Sequence, residues 1–160
     1  MIFKNLFKTK FHVILFLVSL LSCSKDKNQS TKDYNIWNGP SIEFSKLAGA
    51  NPKDKLNQDE ITTTVSITRG DNGEIYNAIL EEKAQKGMSP LGTEWAIGET
   101  TNIANLSFSS FRKAVGKPKN VVGKNLVLHI IKEDVYLSVQ FTNWGQSQKG
   151  DFSYKRSTKN

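Results

Sequence analysis

Cysteine, histidine and long apolar runs are all scarce in this chain of 160 residues, and each scarcity closes a class of function. With Cys23 as its one cysteine the chain can form no internal disulfide, so a disulfide-stapled scaffold is excluded and a conventional core must hold it together. Histidine occurs twice, at His12 and His129. That is too little for a His/Cys metal centre, and a Ser-His-Asp triad would rest on His129 inside an apolar strand, so no metal, no cofactor and no catalytic residue is expected. The apolar run from Phe11 to Leu21, broken only by His12 and Ser19, has eleven residues, about half of what a helix needs to cross the hydrocarbon core of a bilayer. Positive charge is in excess at +7, but the lysines are scattered and not interleaved with aromatics as in a nucleic-acid groove. No nucleic-acid partner is expected.

What is present begins with the N-terminus. Lys4, Lys8 and Lys10 precede the apolar run, the arrangement of an export signal. The segment Leu20-Leu21-Ser22-Cys23 that ends it resembles the lipobox of bacterial lipoproteins. That resemblance implies a lipid on the Cys23 thiol and cleavage before it, leaving 138 residues and a net charge of +4. Two or three acyl chains, each buried methylene contributing roughly 0.8 kcal/mol, would then attach the protein to the membrane. Ser24 to Asn35 is polar and charged and cannot bury enough surface to order itself, so it is expected to be a tether. The expected organisation is a signal over 1–22, a lipidated tether over 23–36 and one domain over 37–158. Ser24, where some lipoproteins carry Asp, resembles lipoproteins passed to the outer membrane. Lys-Asp-Lys after it partly resembles signals for surface display, so a periplasmic and a surface-exposed position both remain open.

Beyond the tether the dominant period is two. Ile61, Thr63, Val65 and Ile67 alternate with threonines and serine, as expected of a half-buried strand closed by Arg69-Gly70. Ile42 with Phe44, and Leu106 with Phe108, repeat the pattern. Leu126 to Ile131, then Lys132-Glu133-Asp134, then Val135, Leu137, Val139 and Phe141 predict the strongest hairpin. Short strands are expected at Ile75 to Leu80, Thr93 to Ile97 and around Phe152 and Tyr154, with helical spacing confined to Ile79–Lys86 and Ser110–Val115. Many short strands separated by Gly, Pro and Asn predict an all-β fold, an antiparallel β-sandwich or jelly roll with one or two short helices.

Few residues carry chemistry. Gly70-Asp71-Asn72-Gly73-Glu74 has oxygen ligands but lacks the alternating frame of an EF-hand, and reads as a hairpin turn. His129 shares a face with Val127 and Ile131 and is expected to be structural, neutral and hydrogen-bonded if that face is core. The candidate ligand-binding residues are Trp95, Trp144 and Tyr136, since β-sandwiches bind sugars or peptides through exposed aromatic faces. By strict alternation Trp144 lies with Tyr136, Ser138, Gln140 and Thr142, opposite the apolar set. The competing reading has Trp144 capping the core where its strand twists.

Asn57-Gln58-Asp59-Glu60-Ile61-Thr62, Ile67-Thr68-Arg69-Gly70, Glu94-Trp95-Ala96, Phe141-Thr142-Asn143-Trp144 and Phe152-Ser153-Tyr154-Lys155-Arg156-Ser157-Thr158 together resemble an uncharacterised domain of many exported bacterial proteins. That resemblance spans nearly the whole folded part and implies no activity, substrate or catalytic residue. The family tends to carry Trp where Ser66 stands, and an acidic and a basic residue where Ser138 and Gln140 stand. Arg69 and Arg156, at strand ends within these motifs, are expected to pair with Asp59 or Asp134. The expected function is that of a non-enzymatic, lipid-anchored cell-envelope protein serving binding or structural interaction at the outer membrane. One alternative is a carbohydrate- or peptide-binding module with a glycan or protein ligand, and another is an envelope hydrolase whose carboxylates only the fold brings together.

Overall fold

A computed structural model describes residues 32–146 and 148–160, so Cys23, the apolar run and most of the tether lie outside the described residues. The strongest alternation in the chain becomes the central hairpin of the larger sheet, β7 (Asn125–Ile130) and β8 (Val135–Trp144). Asp134 turns the corner at φ 47°, a left-handed conformation that Asp tolerates better than most residues. β6 (Thr93–Ile97) pairs with the outer side of β7, and β9 (Phe152–Arg156) pairs with the latter part of β8 and, on its far side, with β2 (Ile42–Lys46). β1 (Asn35–Trp37) lies parallel to the first residues of β8, taking the edge that β9 leaves free. β3 (Asp59–Glu60), β4 (Ser66–Arg69) and β5 (Ile75–Asn77) form a second, three-stranded antiparallel sheet. The fold is all-β and sandwich-like, with one short α-helix, α1 (Phe111–Val115), and 3-10 turns at Lys55–Asn57, Thr100–Asn105 and Pro118–Asn120 among the described residues. No described helix is long and apolar enough to cross a membrane.

The core lies between the sheets and under α1. Leu126, Leu128 and Ile130 of β7, with Val135, Leu137, Val139 and Phe141 of β8, face Ile67 and Ile75 of the small sheet and Phe111 and Val115 of α1. Fully burying each such side chain contributes about 1.5–3 kcal/mol. The sheets are also clamped by charge. Asp59 on β3 accepts two hydrogen bonds from Arg156 on β9, at 2.7 and 2.8 Å, and one from the Tyr154 hydroxyl at 2.6 Å, all three residues being buried. A smaller apolar cluster of Ile103, Val127 and Tyr136 forms on the opposite face of the large sheet, covered by Tyr34, Ile36, Leu106 and Phe108.

Several sequence expectations change here for local reasons. Ile61 to Val65 is a turn between β3 and β4, not strand. The Thr62 hydroxyl accepts the backbone N–H groups of Thr64 and Val65 at 3.2 and 3.1 Å, which offers the chain an alternative to ladder pairing, although Ile61, Val65 and Ile67 still reach the core. Ile79–Lys86 is not helical. The Asn77 amide takes four backbone partners, at Thr64, Ser66, Ile79 and Leu91, and the Glu81 carboxylate accepts the N–H groups of Asn77 and Leu91, so side chains satisfy this loop. Leu106 to Ser109 forms only a bridge from Ser109 to Trp95. Ordered strand also begins at Asn35, inside the segment expected as tether, with Tyr34 packed edge-on against Tyr136 at 5.3 Å.

Candidate functional site

A break in the alternation of β8 creates the site. Pairing with β9 shifts register between Phe141 and Asn143, so Thr142 and Asn143 are both exposed and Trp144 turns to the core side, opposite Phe152. A bulge of this kind re-aims the side chain that follows it. Trp144 therefore does not share a face with Ser138, Gln140 and Thr142 as strict alternation predicts. It packs against Phe111 and Phe141 at ring separations of 5.8 and 5.7 Å and caps the end of the core.

Arg69, the last residue of β4, covers the ring from the other side, its guanidinium carbon 3.9 Å from the ring centre. It is only 5% exposed. Its Nε donates to the Gly73 carbonyl at 3.2 Å, and Nη1 donates to the carbonyls of Gly145 and Asp151 at 2.9 and 2.8 Å, stitching the β4–β5 turn to the β8–β9 turn. A Cβ at Gly145 would meet the Asp151 carboxylate, so a side chain there requires that carboxylate to move. Burial pulls the Arg69 pKa below its ordinary value and Asp151 opposes that shift, yet an arginine so placed stays charged. A desolvated cation–π contact of this kind contributes about 2 kcal/mol.

Arg112, on α1, is fixed in the same manner. Its Nε donates to Glu74 Oε1 at 2.6 Å, and that oxygen also accepts the Gly87 N–H at 3.0 Å. Glu74 is 1% exposed, and its Oε2 has no partner among the described residues. Both arginines thus give their Nε to the protein itself, and Arg69 its Nη1 as well. Just beyond α1, Lys117 and Lys119 flank Pro118, which starts a 3-10 turn after Gly116 ends the helix at φ 80°. Arg69, Arg112, Lys117, Lys119, Trp144 and Gln146 surround an open pocket of about 360 Å³. Its described lining supplies cationic and amide donors and an aromatic floor, but no carboxylate, imidazole or hydroxyl.

The other candidate residues are elsewhere. Trp95 is wholly buried, packed edge-on against Phe111 at 5.2 Å, with its indole N–H donated to Thr93 Oγ1. Tyr136 is 4% exposed beneath Phe108 and Tyr34. Neither ring offers the exposed aromatic face that a platform requires. Of the three, only Trp144 borders a pocket, and at 7% exposure it presents an edge and not a face.

Register explains the one histidine of the fold. Glu94, His129 and Tyr136 are direct neighbours across β6, β7 and β8, so the imidazole stacks flat on Tyr136 at 4.1 Å. Its Nδ1 lies 2.8 Å from Glu94 and its Nε2 2.9 Å from Asp134. The His129 hydrogen bond holds the Asp134 carboxyl below the usual range, and burial with the adjacent Asp134 charge pushes Tyr136 up to about 12. Glu94 and Asp134 meet only through the ring between them. Of the pairings expected for the arginines, Arg156 takes Asp59, whereas Arg69 takes backbone carbonyls and Trp144.

Ser138 and Gln140 border a second groove of about 380 Å³ on the outer face of the large sheet, with Asn125, Glu99 and Lys155. Ser66 is fully buried and its hydroxyl has no partner among the described residues. Among the described residues, no three His, Cys, Asp or Glu side chains converge as a metal site. No family model, curated protein or solved structure matches the chain.

Sequence reasoning missed Arg112, Lys117 and Lys119. Their signal is the run Phe-Arg-Lys-Ala-Val-Gly-Lys-Pro-Lys, where a helix stop gathers basic residues that look dispersed along the chain.

Proposed function

We propose that the chain is a lipid-anchored protein of the cell envelope, seated at the outer membrane through acyl chains on Cys23, whose β domain is a binding module. The observation that carries the binding role is the pocket beside Trp144, whose two arginines are fixed in place by the protein before any ligand arrives. Preorganised donors cost less ordering entropy on binding than free side chains do. Their lining favours recognition over hydrolysis, because donors and an aromatic edge hold a ligand but supply no base. The anchor is supported by the lipobox-like Leu20-Leu21-Ser22-Cys23 and the polar stretch after it. The resemblance to an uncharacterised exported domain belongs to the same reading.

Two experiments test this proposal. Cells fed labelled palmitate should incorporate it into the wild-type chain and not into Cys23→Ser, and equal labelling removes the anchor. On an array of envelope glycans and peptides, the full chain in detergent should bind a subset that Trp144→Leu fails to bind. An array on which the two proteins behave alike removes the pocket from the reading.

A further inference from the structure

Deepening the pocket reading on which it rests, we propose that the group recognised beside Trp144 is a phosphate. Four cations line the pocket, and two carboxylates, Glu74 and Asp151, lie against them, which leaves an excess of two positive charges. Glu74 Oε1 is taken by Arg112 Nε and the Gly87 N–H while its buried Oε2 has no partner among the described residues, and Asp151 directs an oxygen to Asn143 Nδ2 at 3.0 Å. A phosphate monoester, with a charge of about −1.5 to −2 at pH 7 and three acceptor oxygens, matches that excess.

The donor geometry points the same way. Arg69 uses Nε and Nη1 on backbone carbonyls, so Nη2 is its nitrogen without a partner among the described residues. Arg112 is held at Nε alone, and neither of its Nη groups has a partner among the described residues. Arg112 therefore keeps both Nη groups, the end of a planar fork that matches phosphate oxygens, while Arg69 adds Nη2 as a single donor nitrogen. Lys117 and Lys119, exposed at the rim, add point charges that steer an anion inward. A carboxylate has only two oxygens, which one guanidinium fills, and would leave the remaining donors unused. Arg69 already occupies one face of the Trp144 ring, so a sugar cannot stack there and the ring walls the anion site.

The test is calorimetric titration of the full chain in neutral detergent with glucose 1-phosphate, glucose, glucuronate and inorganic phosphate, and flotation with vesicles containing phosphatidic acid, whose headgroup is a phosphate monoester. Glucose 1-phosphate should bind at least tenfold more tightly than glucose or glucuronate and weaken as salt rises. Because Arg112→Gln strands the buried Glu74 and risks misfolding, the principal variant is Lys117→Ala with Lys119→Ala, both exposed. It should weaken binding at least fivefold, while Lys113→Ala, nearby on α1 but outside the pocket, should not. Vesicle binding that Lys117→Ala with Lys119→Ala abolishes would support the same chemistry with a lipid headgroup as the source. No binding of any phosphate probe, equal binding of glucuronate, or an equal loss in Lys113→Ala would overturn the proposal. A neutral glycan bound through Trp144 without any phosphate affinity would overturn it and leave the binding-module reading standing.

Discussion

Replacing Asp59 by Ala should destabilise the fold more than any other single change of a polar residue. Asp59 is 6% exposed and accepts hydrogen bonds from Arg156 Nε and Nη2 and from the Tyr154 hydroxyl, at 2.7, 2.8 and 2.6 Å. Arg156 is equally buried, and its other hydrogen bond, from Nη1 to the Ser157 carbonyl, is longer at 3.3 Å. Removing the carboxylate strands a desolvated guanidinium, which costs about 3–5 kcal/mol. At roughly 3 °C per kcal/mol for a domain of this size, the melting temperature should fall by about 10–15 °C. Tyr154→Phe removes one charge-assisted hydrogen bond and should cost about 1.5–3 kcal/mol. Asp59→Leu combined with Arg156→Met, made in a Tyr154→Phe background so that no buried hydroxyl is stranded, removes both charges and should recover most of the loss, because a buried ion pair is scarcely better than an apolar pair of similar volume. Thermal and urea unfolding of the full chain would provide these values. A loss below about 1 kcal/mol in Asp59→Ala, or no recovery in the combined variant, would refute the view that a buried charge clamp joins the two sheets.

Two further outcomes follow from the same geometry. Ser157 accepts the Ser138 N–H at 3.0 Å and donates to the Trp37 carbonyl at 2.6 Å, joining β1 to the point where β9 leaves β8, so Ser157→Ala should cost about 1–3 kcal/mol. Hydrogen exchange should then accelerate first in Asn35–Trp37, and uniform acceleration across all strands would contradict this. Tyr136, whose pKa is raised to about 12 by burial and by Asp134, favours its neutral form in the fold. Its contribution is complete below the unfolded value near 10 and is lost as pH rises from about 10 to 12, so melting temperature should fall over that window and fall less in Tyr136→Phe. Parallel declines in the two proteins would show that Tyr136 takes no part.

The fold class was legible because hydrophobic alternation carries it. β6 and the β7–β8 hairpin appear where the period-two pattern lies, and α1 appears where helical spacing marks Ser110–Val115. What the pattern misreads is settled by side chains acting on backbone. The Thr62 hydroxyl closes a turn inside an apparent strand, and Asn77 and Glu81 hold a loop that has helical spacing. The core-capping place of Trp144 was one of the two readings the sequence left open, but the bulge that decides it was not legible, since one extra residue reverses the face of a side chain and no apolar period records it. Arg69 was visible at a strand end, but its partners are carbonyls of Gly73, Gly145 and Asp151, and backbone acceptors leave no mark in a sequence.

Ligand binding beside Trp144 is open to direct observation. The direct measurement is the set of tryptophan indole N–H resonances of the full chain in detergent during titration with glucose 1-phosphate. The Trp144 signal, assigned by its absence in Trp144→Leu, should shift and saturate, while those of Trp95 and Trp37 stay in place. Saturable binding that leaves the Trp144 signal unmoved, or that moves Trp95 instead, would contradict it.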